Sequence, residues 1–290
     1  MTSCLPKDKH HAVSEMCDAL AGISGIQAIC LGGSYARGTA TANSDVDIGI
    51  YYSEHSLPSI DDIHSLAKKF DPTVATVTKF YEWGPWVNGG AWLNTRNGKI
   101  DWLYRNLDQV NKVIEDAHRG QFVWDFRQQP PYGFFSVTYL ADLQHNIPLY
   151  DPKQIFVELK NAIKVYPKAL KQSLIGEHLW SVEFSYLNAQ KLADKGCIYG
   201  TVGCMTRIVS ELTQVLFALN EVYFASEKDA LKVIESFPLK PKGYAIRIND
   251  VLSRPGQGAD LTESLKKLGE VIQETMVLCK PLYASKYSIK

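Results

Sequence analysis

Asp45 and Asp47 stand two residues apart in the run Ser44-Asp45-Val46-Asp47-Ile48-Gly49-Ile50. Alternate side chains of an extended strand share a face, so both carboxylates project one way while Val46, Ile48 and Ile50 point to a core. Like charges held this close repel each other, and a cation between them relieves the repulsion. Magnesium is the expected ion, because one or two carboxylates plus phosphate oxygens suit a small, hard cation. Gly32-Gly33-Ser34, a few residues upstream, offers the phosphate half of such a site. Its glycines allow backbone N–H groups to approach a phosphate closely, and the serine adds a hydroxyl donor.

A third carboxylate has a similar setting. In Lys99-Ile100-Asp101-Trp102-Leu103-Tyr104 the bulky Ile100, Trp102 and Tyr104 share one face and Asp101 takes the other. A charge inside an apolar strand is expensive unless it is paired, hydrated or bound to metal. Glu82 is its rival for a chemical role, since it opens the loop Glu82-Trp-Gly-Pro-Trp-Val-Asn-Gly-Gly90. Arg37 follows the glycine-serine turn, and its planar fork suits phosphate. Trp83 and Trp86, beside glycine and proline, are candidate pocket walls, whereas Trp92 lies in a strand and is expected to pack. The seven histidines are scattered, with no His-Glu-x-x-His pattern, so no zinc site is indicated. A Gly-x-x-x-x-Gly-Lys-Ser/Thr phosphate loop is also missing.

The elements that must position these residues can be read from periodicity. An amphipathic stretch at 9–21 precedes a strand at 26–31. The turn and short helix at 33–39 lead into the carboxylate strand, 45–52. A helix is expected at 59–70, with Asp61 and Asp62 in its first turn where negative charge is favoured. Residues 74–80 are rich in β-branched residues and predict a strand. The apolar runs 91–95 and 99–105 flank Arg96-Asn97-Gly98, a hairpin signal. A helix at 107–119 closes on Gly120. Residues 121–152, aromatic and proline-containing, suggest no clear element. From Pro167 onward the chain reads as a bundle of four to five helices. These spans predict two domains, 1–152 and 153–290, with the boundary near Asp151-Pro152.

Composition narrows the class. The 290 residues are enough for one large or two medium domains. Acidic and basic residues balance at 31 each. Before residue 150 there are 16 acids and 12 bases, and after it 15 and 19, a tilt too mild for a stripe that follows a phosphate backbone. Nucleic acid is therefore not the expected partner. No apolar run approaches a membrane span and no signal-peptide pattern opens the chain, so a cytoplasmic protein without a membrane partner is expected. The six cysteines show no Cys-x-x-Cys pairing, as expected of free thiols in a reducing compartment.

Gly33-Ser34, a short helical stretch with Ala36-Arg37-Gly38, and Asp45-x-Asp47 on the next strand resemble the signature of the DNA polymerase beta-like nucleotidyltransferases. The layout as a whole resembles small bacterial two-domain members that modify aminoglycosides or lincosamides. The resemblance implies an α+β fold: a mixed sheet with flanking helices, followed by an all-α bundle that helps bind substrate or nucleotide. It also implies two Mg²⁺ ions held by Asp45, Asp47 and Asp101, with ATP or another nucleoside triphosphate as co-substrate. Gly33 and Ser34, with Arg37, would hold the triphosphate, and Lys228 of the helical part is a further candidate for that role. Asp101, or Glu82, would take the proton from an acceptor hydroxyl. The implied reaction moves a nucleoside monophosphate to a small acceptor such as an aminoglycoside-like molecule. Transfer to a protein or tRNA, of the toxin–antitoxin kind, and a non-catalytic nucleotide-binding regulator remain the alternatives.

Overall fold

The alternation of apolar and polar residues that the sequence shows in 46–52 and 98–106 becomes a pair of adjacent parallel strands. In the computed structural model, which describes residues 4–74, 76–253 and 259–287, β1 (Ile26–Leu31), β2 (Val46–Tyr52), β3 (Gly90–Thr95), β4 (Gly98–Asn106) and β7 (Ile147–Tyr150) form one sheet. Its order is β3-β4-β2-β1-β7. Only β2 and β4 run parallel; the other neighbours are antiparallel. On one face Val46, Ile48, Ile50 and Tyr52 meet Ile100, Trp102 and Tyr104, all fully buried. Burial of each such side chain contributes ~1.5–3 kcal/mol.

That face is covered by α1 (Lys7–Ala21) and α3 (Ile60–Phe70), through Val13, Met16 and Leu20 of the first and Ile63 and Ala67 of the second. Ser59 caps α3 by accepting from the Asp62 N–H at 3.2 Å, a contact worth ~1 kcal/mol in helix caps generally. The five-residue α2 (Gly33–Arg37) links β1 to β2, and Gly38 ends it in the left-handed conformation, φ 71°. The hairpin expected around Arg96-Asn97 is present, with Thr95 paired to Gly98.

Two expectations are corrected here. The described residues of 74–80 form no strand: Val77 makes one isolated bridge to Ala91, and Ala75 lies outside the described residues. The Thr78 hydroxyl occupies the Gly90 N–H at 2.8 Å, so a side chain takes a ladder position that backbone would otherwise fill. Residues 121–152 are in turn more regular than the sequence suggests. They hold the short ribbon of β5 (Trp124–Asp125) and β6 (Phe134–Phe135), then α5 (Thr138–His145) and the edge strand β7. Pro148 is tolerated in β7 because an edge strand leaves one row of donors unused. After β7 comes α6 (Ile155–Ile163), and it lies with α5 on the second face of the sheet, where Phe156 meets Tyr51 edge-on at 4.9 Å.

The chain divides into two compact units, 1–115 with 123–165, and 116–122 with 166–290. The chain passes between them at 115/116, 122/123 and 165/166, and α4 (Leu107–His118) begins in the first and ends in the second. Among the described residues of the second unit the regular elements are all helices: α7 (Lys168–Ala193), α8 (Ile198–Leu219), α9 (Ala230–Glu235), α10 (Tyr244–Ser253) and α11 (Ala259–Leu278), after the end of α4. Contrary to the expectation from apolar runs, α8 is long and apolar enough to cross a membrane. Its most apolar stretch is 72% buried, which is also how the central helix of a water-exposed bundle behaves. Within the bundle Glu211 of α8 accepts from Ser181 at 2.8 Å and pairs with His178, both on α7. All six cysteines are free.

Candidate active site

The face of the sheet opposite the apolar core carries the polar residues of β2 and β4. Asp47 and Asp101 are Cα partners across the parallel pair, so their side chains emerge side by side. Asp45 is exposed just ahead of β2. Burial first, then the charges of Asp47 and Asp45, push the Asp101 carboxyl up to about 6, against the opposing pull of Lys99. Asp47 is likewise raised, by burial and then by Asp142, while Arg105 and Arg37 act in the other direction. Asp47 and Asp101 are thus both held back from ionising at one spot on the sheet, with Asp45 adding negative charge beside them, the electrostatic situation a cation relieves.

The glycine-serine turn is built onto this spot. The Gly32 N–H donates to the Asp47 carbonyl at 2.8 Å. Gly33 adopts φ +60°, and a Cβ there would lie 1.6 Å from Asp47 Oδ2. Only glycine allows the turn to rest on the carboxylate in this way. At Gly32 the nearest atoms to such a Cβ are 3.8 Å away, an ordinary contact. Lys9 of α1 secures both sides of the turn, donating to the Tyr35 hydroxyl and to the Ser44 carbonyl at 2.9 Å each. Ser44 closes the tight turn before Asp45 by accepting from the Thr41 N–H at 2.9 Å. Ser34 is half-buried, with no protein partner for its hydroxyl among the described residues. Arg37 is close enough to act on Asp47 and on His145 of α5.

Among the described residues no group of three or more His, Cys, Asp or Glu side chains is gathered closely enough to hold a metal by itself. The donor chemistry at Asp47 and Asp101 nevertheless fits magnesium: two half-buried, mutually repelling carboxylates beside a turn with a bare glycine and an unpartnered hydroxyl.

Residues 13–92, which include the turn, Asp45 and Asp47, match the family model for a nucleotidyltransferase domain. Over those residues the chain carries a nucleotidyltransferase domain. Asp101 lies beyond the end of that match, and the structure brings it to the site through strand register. Residues 134–228 match a second family model, a domain of unknown function (DUF4037). No curated protein matches the chain. Among solved structures, a nucleotidyltransferase-like protein from Exiguobacterium sibiricum 255-15 aligns over 96% of this chain and 78% of its own, with 9% identity and a TM-score of 0.46. The CdnE cyclic dinucleotide synthase of Elizabethkingia meningoseptica aligns over 90% of both chains, with 16% identity and a TM-score of 0.25.

The nucleotidyltransferase domain brings some sequence candidates together and leaves others apart. Gly33, Ser34, Arg37, Asp45, Asp47 and Asp101 converge. Glu82 does not join them: its carboxylate accepts from the Lys79 N–H at 2.8 Å, and it acts on Tyr104, whose side chain takes the opposite face from Asp101. Lys228 belongs to the second unit, in the turn before α9, where its N–H donates to Ser226 Oγ at 3.2 Å. Trp92 overturns its expected role in packing. It is 57% exposed, is the Cα partner of Asp101 on the neighbouring strand and stacks on Trp83. Trp86 instead packs on Phe134 and Tyr139.

Sequence reading missed the contribution of α5. Its Asp142 pairs with Arg105 of β4 at 3.2 Å, and its His145 is held below the usual histidine range by burial and then by Arg37. Lys160 of α6 donates to the Asn146 carbonyl at 2.5 Å. The sole local signal was the charge pattern of 138–145, which does not say where a helix will dock.

Proposed function

We propose that this nucleotidyltransferase uses magnesium to move a nucleoside monophosphate, AMP from ATP in the first instance, onto a hydroxyl of a small molecule of the aminoglycoside-like kind, with release of pyrophosphate. The observation that carries this reading is the registered pair Asp47 and Asp101 beneath a turn that only glycine can make. Asp47 and Asp101, with Asp45 beside them, would hold two Mg²⁺ ions, the remaining ligands being triphosphate oxygens and water. Bound there, magnesium supplies charge neutralisation at the attacking and leaving oxygens. Gly33 N–H and the Ser34 hydroxyl donate to the β- and γ-phosphate oxygens, and Arg37 adds a fixed positive charge.

Asp101 receives the hydroxyl proton. Its place suits that duty, because it stands in register with Asp47 on the polar face of the sheet. Its raised pKa means that an empty site holds a proton part of the time near pH 6 and ionises fully once positive charge arrives. Balanced overall charge supports a small acceptor over a nucleic acid.

The test is incubation of the protein with each labelled nucleoside triphosphate, Mg²⁺ and a panel of hydroxylated acceptors. Expected are pyrophosphate release and a labelled product, both lost in Asp47→Asn. Label on tRNA or on a protein alone would replace the small acceptor by a macromolecule. Nucleotide binding without pyrophosphate release under any condition would replace the enzyme reading by that of a regulator.

A further inference from the structure

Trp92 is a large aromatic side chain left in the open one strand away from Asp101. Adjacent strands lie ~4.8 Å apart, so the indole stands beside the carboxylate rather than remote from it. Its exposure contrasts with Trp102 on the next strand, which is fully buried on the opposite face. Trp83 backs it at a centroid distance of 4.4 Å and an interplanar angle of 20°.

The stack is held in place from behind. Gln128 Nε2 donates to the Trp83 carbonyl at 2.7 Å and to the Val87 carbonyl at 3.1 Å, while its Oε1 accepts from the Trp86 N–H at 2.8 Å. Gln109 Nε2 donates to the Pro85 carbonyl at 2.8 Å, and the Tyr139 hydroxyl donates to the Trp86 carbonyl. A loop so firmly tied presents an aromatic face with little further entropy to lose on binding.

The order of features across the sheet assigns that face. Moving from β1 to β3, one meets the glycine-serine turn, Asp47, Asp101 and Trp92. In an in-line displacement the acceptor oxygen attacks from the side opposite the departing pyrophosphate. With pyrophosphate at the turn, the acceptor comes from the β3 side, where Asp101 and Trp92 stand.

We infer that Trp92, backed by Trp83, is the acceptor platform of this enzyme, and that the acceptor presents a sugar-type ring bearing the reactive hydroxyl to the indole face. The inference rests on the transferase reading above. A ring of that kind lays its C–H face on the indole while a hydroxyl at its edge reaches Asp101. Amino groups on the ring would add attraction to the indole and to the acidic surroundings of Asp45, Asp47 and Asp101.

The test uses the full chain and three probes: a 2-deoxystreptamine amino sugar, a neutral methyl glycoside and adenosine. Binding is read from tryptophan fluorescence, with Trp92→Phe isolating the part due to Trp92, and acceptor KM and kcat are measured for transfer. Expected in Trp92→Ala is a rise in KM for a ring acceptor of ~3- to 30-fold with kcat nearly unchanged. Trp92→Phe should recover most of that loss, and affinity for a non-hydrolysable ATP analogue with Mg²⁺ should not move. Unchanged acceptor KM in Trp92→Ala overturns the assignment. So does loss of ATP-analogue affinity in its place, which would give the platform to the donor base, or failure of both sugar probes to bind the unaltered protein. Failure of the transferase reading looks different: no pyrophosphate release from any triphosphate. Trp92-dependent binding of the probes decides the platform in that case.

Discussion

The same two strands, on the same face, create opposite environments at their two ends. At one end Asp47 faces Asp101. Four residues on, ~13 Å along the strands, Tyr51 faces Arg105 under α5 and α6. At the far end a cation meets its carboxylate partner inside the fold, and burial is offset by pairing. At the near end burial and mutual repulsion outweigh the pull of Arg105 and Arg37 on Asp47 and of Lys99 on Asp101, and both carboxyls are raised. The difference teaches where the fold has satisfied its charges and where it leaves them for something from outside. It also shows how the second end governs the first, since Asp142 and Arg105 act on Asp47 with opposite signs.

The largest expected effects strike the open end. Asp47→Asn should abolish transfer while the far-ultraviolet circular dichroism spectrum stays native, because that side chain contributes charge rather than core. Near-normal transfer in this variant would break the distinction between the two ends. Gly33→Ala should also remove transfer, since its Cβ would overlap Asp47 Oδ2 and φ is left-handed there, whereas Gly32→Ala has room and should keep most activity.

Next in size is the division between Asp101 and Glu82. Single-turnover transfer by Asp101→Asn should fall on the order of 10²–10⁴-fold with ATP still bound. Glu82→Gln, which keeps an acceptor for the Lys79 N–H and removes only the charge beside Tyr104, should change the rate little. The reverse ranking would move the proton acceptor off the sheet face.

The satisfied end should respond in stability. Asp142→Asn leaves Arg105 without its carboxylate, and ~2–3 kcal/mol should be lost in denaturant titrations. That falls short of the ~3–5 kcal/mol for a fully buried pair, because these side chains keep 14% and 27% exposure. Replacing both, as in Arg105→Met with Asp142→Leu, should restore part of the loss.

The smallest effect has the opposite sign. Asp101 is raised from 3.8 to about 6 in the folded, metal-free protein. The folded state therefore binds more protons than the unfolded one between those values, and stability from this group falls as pH rises through that window. Asp101→Asn should accordingly raise the Tm of the metal-free protein slightly at pH 7.5, and the gap should close as pH falls toward 4. A lower Tm in that variant at pH 7.5 would show that Asp101 is already satisfied by the fold.

Much of the open end was legible because its signals are local. The alternation of Asp45, Asp47 and Asp101 with branched and aromatic residues specifies strands by period, and Ser59 with Asp61 and Asp62 marks a helix start that the structure repeats. The misreadings share a cause. Val74–Phe80 has strand composition, but Thr78 meets Gly90 with its N–H and its hydroxyl rather than with N–H and carbonyl, and pairing stops at the single bridge of Val77 to Ala91. Trp92 has the residue type of a core position, yet its register with Asp101 puts it on the open face.

By itself, then, the sequence determined the strand periods, the glycine-serine turn, the start of α3 and the side of each strand on which its acids stand. These follow from backbone geometry over a few residues. Tertiary structure alone decided that Asp101 stands beside Asp47, that Asp142 and His145 of α5 flank the site, that Glu82 faces away and that Trp92 is exposed. Each of those facts depends on which distant segments become neighbours. That choice is made by the burial of whole faces, a sum over the domain that no short window of residues contains.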